Sequence, residues 1–288
     1  MRNSWIERLS QHERINFFVT NRLPRRWATQ FMGWFSRIEH PLVFRPAFAV
    51  WRRFGGDFRL EEAKKQRFAS LHDCFTRELR DGARPIAGGS DVIVSPCDAV
   101  IGAHGRIAGT ELFQVKGFPY SLDDLFGDPA LVAKYRDGLF ATLRLKSNMY
   151  HRFHAPCDCE LQEIVYISGD TWNVNPVALR RVERLFCKNE RAVLDLDIGD
   201  AGRSIALVPV AAILVASLRF HGLSEPLRLR YSGPNRIPSS RRFAKGEEIG
   251  YFEHGSTIIV FASGGFSFTA AVAEGATMRM GEPLMRKL

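Results

Sequence analysis

Two histidines stand three residues apart in Tyr150-His151-Arg152-Phe153-His154-Ala155-Pro156, just beyond the strand-like run Leu139 to Leu145. An imidazole titrates near neutrality, so each can take or give a proton, and a strand end before a proline is a place where side chains can face a cleft. Local hydrogen bonds alone would equally account for such a pair. The His-x-x-His spacing also suits a metal, but no third ligand recurs at a characteristic distance. Cys157-Asp158-Cys159 is too tight for a zinc knuckle, so no metal is expected.

Two further segments complete the set. Asp98, in Ser95-Pro96-Cys97-Asp98-Ala99, lies between a proline-led turn and a strand. An aspartate there caps backbone amides in the ordinary case, and otherwise can orient an imidazole and stabilise its charged form. Glu253-His254-Gly255-Ser256-Thr257 leads into the apolar run Ile258 to Phe261. A Gly-Ser step at a strand entrance is ordinarily a turn. It is not the Gly-x-Ser-x-Gly elbow of a hydrolase, but glycine admits backbone angles that could present the Gly255 carbonyl to the neighbouring hydroxyl.

These segments need a scaffold. The chain has 288 residues, 45% apolar and 25% charged, enough for a substantial core. Its formal charge of +9 predicts attraction to anionic surfaces without choosing among nucleic acid, acidic lipid and acidic protein. No nucleic-acid-binding motif accompanies that charge, so a nucleic-acid partner is not expected. The five cysteines form no framework pattern and the N-terminus carries no leader-like run, which predicts a reducing, cytoplasm-facing location. The longest apolar run, Ile205 to Leu218, falls short of the roughly 20 residues of a spanning helix and reads as buried strand.

From Trp5 to about Phe68 the period is helical, with Trp27, Phe31, Trp34, Phe48 and Trp51 set among arginines. Aromatics beside arginines suit a membrane interface, and equally a seam packed on the main domain. After Gly88-Gly89-Ser90, short β-branched runs follow one another: Val92 to Val94, Leu139 to Leu145, Leu161 to Ile167, Ala192 to Leu196, Ile205 to Ala216, Thr257 to Ala262 and Phe266 to Val272. One helix is expected to interrupt them near Leu122 to Leu125, with Ser121 as its N-cap. The expected class is α+β, a mainly antiparallel β catalytic domain over residues 69–288 with N-terminal amphipathic helices over residues 1–68.

Taken in order, the segments resemble the phosphatidylserine decarboxylase proenzymes. The likeness runs through Phe75-Thr76-Arg77-Glu78-Leu79-Arg80 with Arg84-Pro85-Ile86, Pro96-Cys97-Asp98-Ala99, Lys116-Gly117 with Tyr120-Ser121-Leu122, and Tyr150-His151-Arg152-Phe153-His154. It continues through Gly169-Asp170, Val174-Asn175, Asn189-Glu190-Arg191 and Gly255-Ser256-Thr257. The resemblance implies that Asp98, His154 and Ser256 form a self-cleavage triad and that His151 assists decarboxylation. Cleavage between Gly255 and Ser256 would give a β chain of residues 1–255 and an α chain of residues 256–288. Ser256 would become a covalent pyruvoyl group, the cofactor, which forms a Schiff base with phosphatidylserine on the way to phosphatidylethanolamine.

The resemblance further implies a heterodimer of the two chains, itself dimerised, held peripherally on the cytoplasmic face of the cell membrane by its anionic surface. Two positions depart from the family pattern. His254 replaces the usual apolar residue before Gly-Ser-Thr, and Phe118 stands where some relatives have histidine. Two alternatives stay open at this stage. One is a relative that no longer processes itself and serves as a peripheral membrane-binding protein, and the other is a hydrolase using Ser256 on an external ester.

Overall fold

A computed structural model describes residues 25–115, 118–200, 202–213, 217–228, 231–253 and 256–288. The sequence readings at Trp5 to Pro24, Lys116-Gly117, His254, Gly255 and the Ser256 hydroxyl lie outside what is described.

The centre is an eight-stranded antiparallel sheet in the spatial order Arg236–Phe243, Cys159–Ile167, Arg191–Asp197, Ser204–Ala211, Ser256–Ala262, Leu139–Leu145, Ala99–Arg106, Thr277–Met278. Its central strands, such as Ser204–Ala211 and Leu139–Leu145, read as nearly continuous apolar runs because both faces are covered, whereas the edge strand Arg236–Phe243 is largely exposed. Along Ser256–Ala262, Ile258, Val260 and Ala262 enter one core cluster while Ile259 and Phe261 enter the other. The alternation is the two-residue period of a strand applied to two buried faces. A four-stranded sheet ordered Leu227–Arg228, Ser217–Phe220, Glu248–Phe252, Arg152–His154 carries His154, and His151 immediately precedes that last strand.

The expected α+β class, mainly antiparallel β, is the observed one. Val92 to Val94 and Leu139 to Leu145 form strands with the boundaries read from sequence. The expected run from Ile205 to Ala216 ends earlier, at Ala211, and Ser217–Phe220 joins the other sheet. Phe266 to Val272 keeps only Phe266–Phe268 as strand, because the Val272 amide turns back to the Thr269 carbonyl at 3.1 Å.

The expected helix is present at Leu122–Phe126, with the Ser121 hydroxyl accepting from the Asp124 amide. It is not alone in the β region. Pro129–Tyr135, Pro176–Leu179 and Leu185–Lys188 are also helical, too short to register as a period in sequence. The first two follow Asp-Pro and Asn-Pro steps, an N-cap before a proline at the first helical position.

Ahead of the sheets lie the helices Arg25–Phe35 and Pro41–Gly55. The second has no buried residue. Their aromatic stripe divides between packed and exposed side chains. Trp51 packs edge-on against Phe58 at 4.6 Å and face-on against Phe75 at 5.9 Å, whereas Trp27 and Trp34 are 78% and 63% exposed. Among the described residues no helix is long and apolar enough to cross a membrane.

Candidate active site

Ser256 opens the strand Ser256–Ala262 deep within the central sheet, opposite Leu145 on one side and Ala211 on the other. The Ala211 side is fixed by Asn189-Glu190-Arg191. The Asn189 amide donates to the carbonyls of Trp172 and Ala211, both at 2.8 Å, and the Ala211 amide donates to the Glu190 carbonyl at 2.8 Å. Arg191 spreads its guanidinium over the carbonyls of Asp124, Leu125, Cys187 and Asn189. This motif therefore holds the strand end beside Ser256 and is scaffold.

On the other side, the loop after Leu145 leads within a few residues to Tyr150, His151 and His154. His154 is buried, and its Nδ1 lies 2.9 Å from the Gly246 carbonyl oxygen. A carbonyl only accepts, so Nδ1 carries the proton and Nε2 is the basic nitrogen. The Tyr150 hydroxyl, 3.0 Å away, donates to that Nε2. Burial holds His154 below the ordinary imidazole range, with the Gly246 carbonyl opposing it. The result is a neutral histidine with one tautomer.

Gly246 can present its carbonyl this way because its φ is +83°, and a Cβ there would come within 2.8 Å of Ile86. His151 is fully buried, with Nδ1 2.9 Å from the Met149 carbonyl and its ring 3.9 Å from the Phe75 ring. Its Nδ1 is thus the protonated nitrogen as well.

Asp98 sits differently from the expected triad. Its carboxylate takes a two-pronged hydrogen bond from Arg84, Nε at 2.8 Å and Nη2 at 2.5 Å, and a third from the Met280 amide at 2.9 Å. Arg84 also reaches Glu62 at 2.7 Å. Among the described residues, no hydrogen bond joins Asp98 to His154, and the place expected for the carboxylate at Nδ1 belongs to Gly246. Asp98 and Tyr150 line the same small cavity of about 100 Å³, and Tyr150 is bonded to the imidazole. The charged forks of an Arg–Asp pair match each other better than an imidazole matches either.

Three participants carried no role in the sequence reading. Tyr150 and Arg84 were quoted within motifs, but a phenol or a guanidinium in a motif does not name its partner. Glu253, quoted at the head of the Gly-Ser-Thr segment, was given no role either. It lies near the Gly-Ser step and takes an ion pair from Arg37, beyond the first helix, at 2.8 Å, with Arg219 at 3.6 Å. Despite burial, the Ser217 hydroxyl and Arg37 hold its carboxyl below the usual range. The helices are thus tied to the segment that leads into Ser256.

Beside this centre opens a cavity of about 1170 Å³. Phe35, Val50, Trp51 and Phe54 of the two helices wall one side, and Arg144, Leu145 and Lys146 line it where the sheet strand opposite Ser256 ends. Ala212 and Ile213, just past the other neighbour of Ser256, complete that end. Residue 256 therefore begins its strand where a wide apolar space meets polar groups. The arrangement has room for a small group at that position and for an amphiphile against it.

The sequence profile of the phosphatidylserine decarboxylase family matches residues 71–286. The chain belongs to the phosphatidylserine decarboxylase family. A phosphatidylserine decarboxylase proenzyme of Vibrio cholerae serotype O1 is 40% identical over 226 residues, covering 75% of this chain and 78% of that protein. One from Methylibium petroleiphilum is 36% identical over 285 residues, 94% of this chain and 97% of its own length. One from Vibrio vulnificus is 38% identical over 237 residues, with 78% and 82% covered. Membership of the phosphatidylserine decarboxylase family makes the chain an enzyme, a carboxy-lyase by class, as the resemblance implied.

Proposed function

We propose that the chain cuts its own Gly255–Ser256 bond and then, with a pyruvoyl group made from Ser256, decarboxylates phosphatidylserine to phosphatidylethanolamine. The observation that carries this reading is the position of Ser256 at the head of a central strand, where a large apolar cavity meets a polar rim. A headgroup presented there meets residue 256 while its acyl chains stay against apolar walls.

In maturation, His154 Nε2 receives the proton of the Ser256 hydroxyl, either directly as Tyr150 swings aside or relayed through the phenol. The serine oxygen attacks the Gly255 carbonyl, and an ester replaces the amide. Elimination frees the Gly255 carboxylate, and the dehydroalanine left behind takes up water and loses ammonia to give the pyruvoyl group. Tethering of the nucleophile to its target supplies much of the acceleration. Asp98 acts at one remove in this scheme, holding Arg84 and the cavity wall on which Tyr150 rests.

Once formed, the pyruvoyl group supplies an electron sink for the loss of carbon dioxide. The chain supplies the rest. The apolar cavity excludes water, and His151, with its proton fixed on Nδ1, offers Nε2 for the proton transfer that completes the product. The residue 256–288 chain stays in place after cleavage because its first strand is bonded on both edges and its last, Pro283–Lys287, pairs with Val92–Val94.

The exposed aromatic face of the two helices, with Arg52 and Arg53 in the last turn of the second, suits monotopic attachment to an anionic bilayer on its cytoplasmic side. Residues 1–68 would serve as that attachment and residues 69–288 as the catalytic domain.

Intact-mass measurement of the wild type beside Ser256→Ala tests the proposal. The wild type is expected as two chains, the smaller starting at residue 256 with a blocked, borohydride-reducible N-terminus, and the variant as one. A folded wild type that persists as a single chain with no trappable ketone would overturn the reading.

A further inference from the structure

Arg144 stands out among the cations of the molecule. It lies on the strand Leu139–Leu145, opposite Thr257 and next to Leu145, which is the partner of Ser256. Burial lowers its guanidinium below the ordinary range, and Glu274 is the carboxylate that opposes this; no ion pair joins the two among the described residues. Three more deeply buried arginines are each answered, Arg77 and Arg191 by several carbonyls, Arg84 by two carboxylates. A half-buried guanidinium that lines an apolar cavity is a ready partner for an anion that enters it.

Its surroundings say what kind of anion. Arg144 and Lys146 are the charged residues among those described along the large cavity, and no carboxylate shares the lining. Amide and hydroxyl groups of Ser147, Asn148, Asn173 and Asn175 form the rest of the polar end, while the far walls are apolar. A ligand complementary to this space is anionic at one end and apolar at the other. Arg144 pairs with Thr257, one position along from Leu145, the partner of Ser256, so the polar end of the cavity lies at the strand end where residue 256 begins.

We propose that Arg144, with Lys146, forms the subsite for the phosphodiester of a diacyl phospholipid, and so selects a lipid-borne serine over free serine. This deepens the decarboxylase reading and rests on it for the identity of the headgroup. A fork of N–H donors suits two phosphate oxygens at once, and the lysine adds a mobile charge at the rim.

The test is calorimetric binding to the matured protein of dihexanoylphosphatidylethanolamine, which carries the phosphodiester and is not consumed, beside dihexanoylglycerol, which lacks it. The Arg144→Gln, Lys146→Gln double variant is expected to bind the phospholipid about tenfold or more weakly than wild type, with dihexanoylglycerol bound alike by both. Arg144→Lys, which keeps the charge but not the fork, is expected between them and serves if the double variant does not fold. Equal affinity of wild type and variants for the phospholipid, or an equal loss for both ligands, would overturn the proposal. Displacement of the phospholipid by the same concentration of inorganic phosphate would overturn its assignment to a lipid. Should wild type show the expected binding pattern yet release no carbon dioxide from phosphatidylserine, the decarboxylase reading falls and the phosphodiester subsite stands.

Discussion

The centre around His154 and the helical wall of the large cavity lie side by side and are built on opposite terms. At the centre the polar groups of His154 and Asp98 are answered: Gly246 holds Nδ1, Tyr150 holds Nε2, and Arg84 and Met280 hold Asp98. The wall is the reverse. Helix Pro41–Gly55 has no buried residue, and Leu42 and Phe54 are 80% and 67% exposed. Bond-breaking chemistry needs groups fixed to within a fraction of a hydrogen-bond length, which demands burial and satisfied partners. A surface that receives an amphiphile needs unsatisfied apolar area instead. The Arg37–Glu253 ion pair is where the two regions are coupled, at 2.8 Å.

If this contrast is right, damage to the two regions should separate cleanly. The largest effect is expected from His154→Ala, which removes the base and should slow self-cleavage by roughly 10²–10⁴-fold, read as the rate at which the 288-residue chain is replaced by its two products on intact-mass analysis. Cleavage at the wild-type rate would remove His154 from the mechanism.

Tyr150→Phe should act more gently and leave a distinctive trace. The phenol donates to Nε2, a bond that only the neutral imidazole can accept, so its loss favours the charged form and raises the His154 pKa. Base catalysis is present above that pKa and is lost as pH falls through it. In the wild type, burial holds the pKa low and the acid limb of the cleavage profile should lie below the ordinary histidine value of about 6.5. In the variant that limb should move to higher pH, with the plateau rate down by about tenfold. An acid limb that stays where it was would show that the phenol does not tune this histidine.

The smallest effect on chemistry should come from the exposed face. Trp34→Glu is expected to leave maturation intact while lowering co-sedimentation with phosphatidylglycerol-containing vesicles by about tenfold, the scale of one large apolar side chain withdrawn from an interface. Unchanged sedimentation would mean that this face does not meet lipid.

Much of the architecture was legible because it rests on local signals. The two-residue alternation of strands such as Leu139 to Leu145, and Ser121 before Asp123 and Asp124, declare their elements within a few positions. The three additional short helices were missed because a turn or two of helix has no period to detect; Asp-Pro and Asn-Pro caps mark two of them, and Leu185–Lys188 has no side-chain cap. Within the site, the residue types were readable and their pairings were not. Asp98 and His154 invited each other by chemistry, yet an arginine from Arg84-Pro85 holds the acid and a glycine carbonyl from the turn at Gly246 holds the imidazole.

What the sequence determines by itself, then, is the inventory: a Gly-Ser step before an apolar strand, two histidines at a strand end, a mainly antiparallel β chain and a basic, aromatic N-terminal region. Those follow from residue type and short-range spacing. The tertiary structure alone decides which nitrogen of His154 is basic, which cations line the large cavity, and that Glu253 pairs with Arg37 across 216 positions. Such pairings depend on the register of distant strands, and strand register is set by how whole faces bury together, not by any residue read in its own neighbourhood.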